Sequence, residues 1–324
     1  MTIPVTYQET RIISPPEVAG LEATVGNTPL LPLRKITAGL SPRVQVLSKA
    51  EWFNPAGSIK DRPALNIIRT AIEDGRLAPG KRLLDATSGN TGIAYATFGA
   101  ALGIPVTLTL PENVSPERLT ILRALGAELI LTDASEGTDG AIRKVQQLVE
   151  EHPDLYFHAN QYDNPANWQA HYLTTGPEIA QQTEGSVTHF VAGMGTSGTL
   201  TGVGRYLRQY NSEVQIIGGQ PASPLHGLEG MKHMATAIQP GIYDPDSADR
   251  IIEITTEDAY DMVRRLAHEE GLFVGISSGA NALAALRVAA ELDEGVVVTV
   301  FPDAGYKYLS DRELWGLECQ EVES

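Results

Sequence analysis

Short β-branched runs alternate with amphipathic stretches along most of this chain, and that alternation limits its fold more than any other feature. The runs fall at 44–47, 82–85, 106–110, 128–131, 188–191, 214–217 and 296–300. Helical patterns lie between them at 63–74, 116–125, 140–150, 200–210, 256–268 and 279–291. Such an order makes βαβ units, and these build mainly parallel sheets. Two series, at 81–131 and 188–300, predict an α/β protein of two parallel-sheet lobes with a cleft between them. The polar stretch 160–167 is the expected crossing point. A length of 324 residues suits that plan, since roughly 150 residues per domain gives about two domains or one bilobal body.

Composition removes several functions. The chain carries 24 Lys+Arg against 40 Asp+Glu, a net charge of −16 that repels a phosphate backbone or an anionic leaflet. Neither a nucleic-acid nor a membrane-surface role is expected. Cys319 is the single cysteine, which excludes an intrachain disulfide and a redox pair. The first ten residues lack the basic and apolar regions of a secretory signal, so a cytoplasmic location is expected. The uncharged run 87–111 has membrane length, yet it carries Asn90 and changes period midway, and it is predicted to be a helix followed by a buried strand. The seven histidines show neither HxxxH spacing nor nearby cysteines, so no metal site is expected.

Three segments carry chemistry. At 190–200 a strand runs into the turn Gly193-Met194-Gly195-Thr196-Ser197-Gly198-Thr199 and then into a helix. Backbone N–H groups at a helix N-terminus, with hydroxyls beside them, form an anion cradle. Gly193, Gly195 and Gly198 also spell a dinucleotide fingerprint, which wants an acidic residue at the end of the next strand. That strand ends in Gly218-Gly219-Gln220, so a phosphate monoester is favoured over a dinucleotide or a ligand-free turn.

The second segment is Asn54-Pro55-Ala56-Gly57-Ser58-Ile59-Lys60-Asp61-Arg62. Ser58 is the expected N-cap and places Lys60 in the first helical turn, where a cation is disfavoured. An uncharged amine at pH 7.4 lies about 3 units below a free lysine's pKa, or about 4 kcal/mol. A helix dipole supplies at most about 2 kcal/mol, and tying the amine up as an imine supplies the rest more easily than burial alone. The third segment, Thr87-Ser88-Gly89-Asn90-Thr91-Gly92, again follows a strand and opens a helix, with neutral donors for a carboxylate or phenolate oxygen.

Six ordered segments carry a resemblance: NPAGSIKDR at 54–62, TSGNTGIAYA at 87–96, LPENVSPER at 110–118, QYDNPANWQAHYLTTGPEI at 161–179, VAGMGTSGTLTGVGRYL at 191–207 and EEGLFVGISSGANALAAL at 269–286. From about residue 26 to 309 the chain resembles the pyridoxal-phosphate-dependent cysteine synthase (O-acetylserine sulfhydrylase) and cystathionine β-synthase family, with a B- or M-like variant at 223–246. The resemblance implies a fold-type II enzyme, tryptophan synthase β-like, whose cofactor cleft lies between parallel-sheet lobes. It implies one catalytic unit at 20–310, with a smaller mobile lobe at about 54–165, a larger cofactor lobe at 20–53 plus 166–310, and a tail at 311–324.

The resemblance also assigns roles. Lys60 matches the lysine that holds the cofactor as a Schiff base and later moves the α-proton. Asn90 matches the asparagine at the phenolic oxygen, and Gly195, Thr196, Ser197, Gly198 and Thr199 match the phosphate loop. Ser277, in preference to Ser278, matches the serine facing the pyridine nitrogen. Thr87, Ser88, Gly89, Thr91 and Gln161 match the groups receiving the substrate carboxylate. The implied reaction is β-replacement, forming L-cysteine from O-acetylserine or O-phosphoserine and a sulfur donor through an aminoacrylate.

A cystathionine β-synthase-type reaction with homocysteine, and a silent cofactor-binding partner of serine acetyltransferase, are the alternatives. A homodimer is implied, with serine acetyltransferase as a possible partner. Lys232 and Arg118 are the candidates to favour a phosphate or thiosulfonate over acetate and sulfide. Asp303 is expected either to line the cleft or to cap a helix, and His226 and His233 are weighed for substrate contact.

Overall fold

The computed structural model describes residues 20–87 and 89–316. Two sheets organise them. The larger has the order β1 (Leu30–Pro32), β2 (Val44–Ala50), β10 (Gly295–Phe301), β7 (His189–Gly193), β8 (Gln215–Pro221), β9 (Arg250–Ile254). The smaller has the order β5 (Glu128–Thr132), β4 (Val106–Pro111), β3 (Arg82–Ala86), β6 (Tyr156–His158). Every pairing is parallel except that of β1 with β2. The α/β parallel-sheet expectation is met, and β2, which strand periodicity alone assigned to neither series, joins the larger sheet beside β10.

Burial explains the order. Along β10 the last five residues are all buried, and along β4 the first five are. Strands covered on both faces by helices read as continuous apolar runs, and these take central places. The helices are α1 (Asp61–Glu73), α2 (Asn90–Leu102), α3 (Pro116–Ala124), α4 (Gly137–Glu151), α5 (Ala166–Ala170), α6 (Gly176–Gln182), α7 (Gly198–Tyr210), α8 (Thr256–Arg265), α9 (Ile276–Ala289) and α10 (Arg312–Trp315). Helix α9 buries ten of its residues between the larger sheet and α8, whereas α8 shows water one face and is capped by Thr255, whose hydroxyl accepts from the Asp258 N–H. Between α5 and α6 a π turn at His171–Thr175 widens an otherwise continuous helix. Such widened turns often aim a side chain at a functional site; here it carries His171.

Three strands escape the periodicity reading. β1 and β6 have three residues each, too few to establish a period, and β9 is an edge strand whose alternating exposed residues mask its isoleucines.

A buried ionic lattice lies between the larger sheet and α1. The Arg62 guanidinium donates to both carboxylate oxygens of Glu51, at 2.7 and 2.8 Å, and to both of Glu178, at 2.6 and 2.8 Å. Lys49 Nζ donates to Glu178 Oε2, to the Thr28 hydroxyl and to the Thr28 carbonyl, each at 2.6 Å. The Lys49 and Arg62 side chains are fully buried and that of Glu178 is 12% exposed, so every charge depends on its partners. Burial alone would raise the Glu178 carboxyl; the hydrogen bonds and charges of Arg62 and Lys49 outweigh it and hold the group at about 2.

Glu178→Gln leaves two buried cations short of a countercharge, and it is expected to destabilise the fold by about 3 kcal/mol at pH 7. The wild-type carboxylate titrates lower folded than at its ordinary 4.5, so its contribution is full above that value and is lost as pH falls toward about 2. Urea unfolding of both proteins from pH 7 to pH 3 should therefore show a gap that narrows below pH 4.5; a gap independent of pH contradicts the assignment.

Candidate functional site

The turns that follow β3, β7 and β10 meet at the carboxyl ends of their strands, the usual place for a ligand in open α/β sheets. They enclose a cavity of about 300 Å³ lined by residues from both sheets.

Lys60 reaches this cavity because its turn is tied to the end of β10. The Ile59 N–H donates to the Pro302 carbonyl at 2.8 Å, and Ser58 pairs with Asp303 in an isolated antiparallel bridge. That pairing draws Ser58 into a bridge, residues 59–60 form a turn, and α1 starts at Asp61 with Lys60 as the residue before it. The helix thus starts later than the sequence suggests, with Lys60 rather than Ser58 just before it, although the Ser58 hydroxyl still accepts from the Lys60 N–H at 3.2 Å, the bond of a capping hydroxyl. Burial lowers the Lys60 ammonium from its usual range, with the Asp303 charge opposing. The amine is thus displaced toward its neutral, nucleophilic form.

The turn after β7 has the features of an anion cradle. Thr196, Ser197, Gly198 and Thr199 line the cavity and lead into α7. Ser197 takes the left-handed conformation at φ 66°, and its buried hydroxyl has no partner. A Cβ on Gly195 would overlap the Gly230 carbonyl oxygen, and one on Gly198 would overlap the Asn167 carboxamide. Asn167 Nδ2 donates to the Thr196 hydroxyl at 3.2 Å, and the Thr199 hydroxyl lies 3.3 Å from His171 Nε2. His171 is buried, which pushes its pKa well down and leaves a neutral ring.

Opposite this turn, Thr87, Gly89, Asn90 and Thr91 line the cavity, and Gln161 closes it from the segment after β6. The Thr91 hydroxyl donates to Gln161 Oε1 at 2.7 Å, which leaves the Gln161 amide hydrogens for another acceptor. Ser88 lies outside the described residues. Ser277 lines the cavity at the start of α9. Ser278 does not, and its buried hydroxyl is unpartnered.

Asn90 is held by Asp303, whose role the sequence left open, and by Lys307, which sequence reasoning missed. Its Nδ2 donates to Asp303 Oδ2 at 2.7 Å, and its Oδ1 accepts from Lys307 Nζ at 2.6 Å. Asp303 also accepts from the Tyr308 hydroxyl at 2.8 Å. Asp303 is fully buried, and burial raises its carboxyl although the Lys307 charge and these hydrogen bonds oppose it. It is not among the residues lining the cavity and caps no helix; its carboxylate is taken up by the Asn90 and Tyr308 side chains. His226 and His233 do not line the cavity either; the first accepts from the Leu228 N–H and the second pairs with the Thr236 hydroxyl.

Arg118 lines the cavity but forms an ion pair with Glu229, and Lys232 Nζ sits 4.8 Å from the Tyr162 ring centre. Among the described residues no group of three or more His, Cys, Asp and Glu is placed to hold a metal, and no helix is long and apolar enough to cross a membrane.

The family described as pyridoxal-phosphate dependent enzyme matches residues 21–303. Cysteine synthase of Aquifex aeolicus (strain VF5) is 53% identical over 291 residues, 88% of this chain and 89% of that protein. Cysteine synthase B of Escherichia coli (strain K12) is 43% identical over 290 residues, 90% of this chain and 94% of that one. The crystal structure of cysteine synthase from Entamoeba histolytica superposes with a TM-score of 0.89 at 37% identity, covering 99% of this chain and 96% of that chain.

Pyridoxal phosphate fits the residues present. A buried, unpartnered Ser197 hydroxyl and glycine positions closed to any Cβ suit a phosphate, and a desolvated Lys60 amine suits an aldehyde. Gly195→Ala forces the turn away from Gly230, and overpacking of this kind costs about 1–3 kcal/mol. Bound-cofactor absorbance after dialysis is expected to show retention weakened by about tenfold or more; unchanged retention contradicts the cradle. A match across most of its length and a cavity built for an aldehyde and a phosphate agree: this chain belongs to the pyridoxal-phosphate dependent enzymes, in the cysteine synthase group.

Proposed function

We propose that this protein makes L-cysteine by replacing the β-oxygen substituent of an activated serine with sulfur. The observation that carries this reading is that one cavity is lined by Lys60, by the glycine turn and by the Thr87, Gly89, Thr91 and Gln161 groups. The names of its relatives point the same way.

The residues that would hold the cofactor are Lys60, Asn90, the turn from Gly195 to Thr199, and Ser277. Pyridoxal phosphate, when bound, supplies the electron sink that makes the substrate Cα proton removable. Thr87, Gly89, Thr91 and Gln161 receive the substrate carboxylate through neutral donors, which orients Cα without adding a cation to the site. Lys60 Nζ takes the Cα proton before the β-substituent leaves, and it returns a proton to Cα after sulfur adds at Cβ. One amine thus serves as base and then as acid, and its lowered basicity suits both tasks. Asn90, clamped between Asp303 and Lys307, presents a fixed carboxamide to the cofactor's phenolic oxygen. Ser277 offers the ring nitrogen a neutral hydroxyl, which tempers the carbanion and favours β-elimination over transamination.

The same reading carries a homodimer in the cytoplasm, movement of the smaller lobe at about 54–165 against the rest, and serine acetyltransferase as a partner. The test is cysteine formation from O-acetylserine and sulfide. Lys60→Ala is expected to lower kcat by about 10³-fold, as loss of a general acid–base does, while the Gln161→Ala variant should raise KM more than it lowers kcat. A Lys60→Ala variant turning over at the wild-type rate contradicts the proposal.

A further inference from the structure

The ion pair between Arg118 and Glu229 spans the cavity. Arg118 lies in the first turn of α3, beside the smaller sheet, and Glu229 lies in the connection between β8 and β9 of the larger one. A helix N-terminus is the unfavourable end for a cation, and the Arg118 side chain is only 9% exposed, so its charge depends on what faces it. Its guanidinium carbon sits 5.5 Å from the Tyr308 ring centre, and its countercharge is Glu229. The backbone around Glu229 is fixed, and its own N–H donates to the Gly227 carbonyl at 2.9 Å. The Gly230 carbonyl abuts Gly195, and the Lys232 N–H donates to the Met194 carbonyl at 2.8 Å.

The charges along the wall give this pair a consequence. Among the described residues the cations lining the cavity are Lys60, Arg118 and Lys232, and Glu229 is the one carboxylate. Lys60 is the proposed base, and Lys232 is engaged with the Tyr162 ring and, at 3.4 Å, with the Ile238 carbonyl. Lys232 keeps its charge in those contacts, whereas Arg118 is the lining cation with a carboxylate set against it, so Glu229 cancels the pull Arg118 would exert on an anionic β-substituent. A phosphate ester carries about −1.5 to −2 charges at pH 7, whereas an acetyl ester carries none.

We propose that Glu229 is a specificity-determining residue, which by neutralising Arg118 turns the site toward the uncharged ester O-acetylserine and against O-phosphoserine. This inference rests on the cysteine-forming reading above. Specificity of this kind is a difference of affinities, set by a repulsive element as much as by an attractive one. Glu229 repels the phosphate directly and removes its counterion.

The experiment compares the wild-type holoenzyme with Glu229→Gln, using kcat/KM for O-phospho-L-serine and O-acetyl-L-serine with sulfide. The ratio of the two is expected to move toward the phosphate ester by about tenfold in Glu229→Gln. Adding Arg118→Gln in the same chain should return it to within about twofold of wild type. Calorimetry of inorganic phosphate binding to the holoenzyme gives a second reading, with binding tighter by about tenfold in Glu229→Gln. An unchanged ratio, or phosphate binding no tighter than in wild type, overturns the proposal. Absence of cysteine from either ester in the wild type defeats the proposed function instead, and the phosphate titration then still judges the charge pairing.

Discussion

The pairing of the Lys60 turn with the end of β10 is the contact on which the site depends. One backbone hydrogen bond, from Ile59 to Pro302, and the bridge from Ser58 to Asp303 join segments more than 240 residues apart. They set Lys60 at the cavity, and they bring Asp303 to the amide of Asn90 at the mouth of α2. Three turns from three strands thereby share one reference point. Within each sheet the parallel strands bring their carboxyl ends to one edge, residues at both edges line the cavity, and the groups that act together come mainly from loops rather than from any one element.

The ionic lattice around Arg62 supports that arrangement from behind. Arg62 sits two residues past Lys60 and is bound to Glu51, just after β2, and to Glu178, on α6. Desolvating four charges is costly, and such clusters are seldom the most stabilising solution. Their geometry is directional, however, and a bidentate guanidinium fixes rotation as well as distance. The lattice ties the start of α1 to the larger sheet while its apolar face packs with α2 and the smaller sheet. Lys60 is held between the two.

Much of this was legible in the sequence, for identifiable reasons. The long strands are apolar runs flanked by turn residues, and the helices carry clear periods, so seven strands and the main helices fall where pattern reasoning puts them. The glycine turn was legible because glycine is required where backbone meets backbone, as at Gly195 against Gly230. Lys60 stood out as a cation at the wrong end of a helix. The helix start expected at Ser58 came later because a long-range pairing, invisible to local rules, claimed that residue, although its hydroxyl keeps the local bond to the Lys60 N–H. Lys307 and Tyr308 escaped, and the role of Asp303 was misassigned, for the same reason: Asp303 and Lys307 hold Asn90, over 200 residues away, and Tyr308 holds Asp303. The pairing of Arg118 with Glu229, across 111 positions, has no local signature either.

The central claim is that Lys60, and no other amine lining or bordering the cavity, carries the cofactor. Borohydride reduction of the purified protein followed by peptide mass mapping tests it directly. The account predicts a pyridoxyl mass on the peptide containing Lys60 and none on those containing Lys232 or Lys307. A label on either of the latter, or an unlabelled Lys60 peptide from yellow protein, contradicts it.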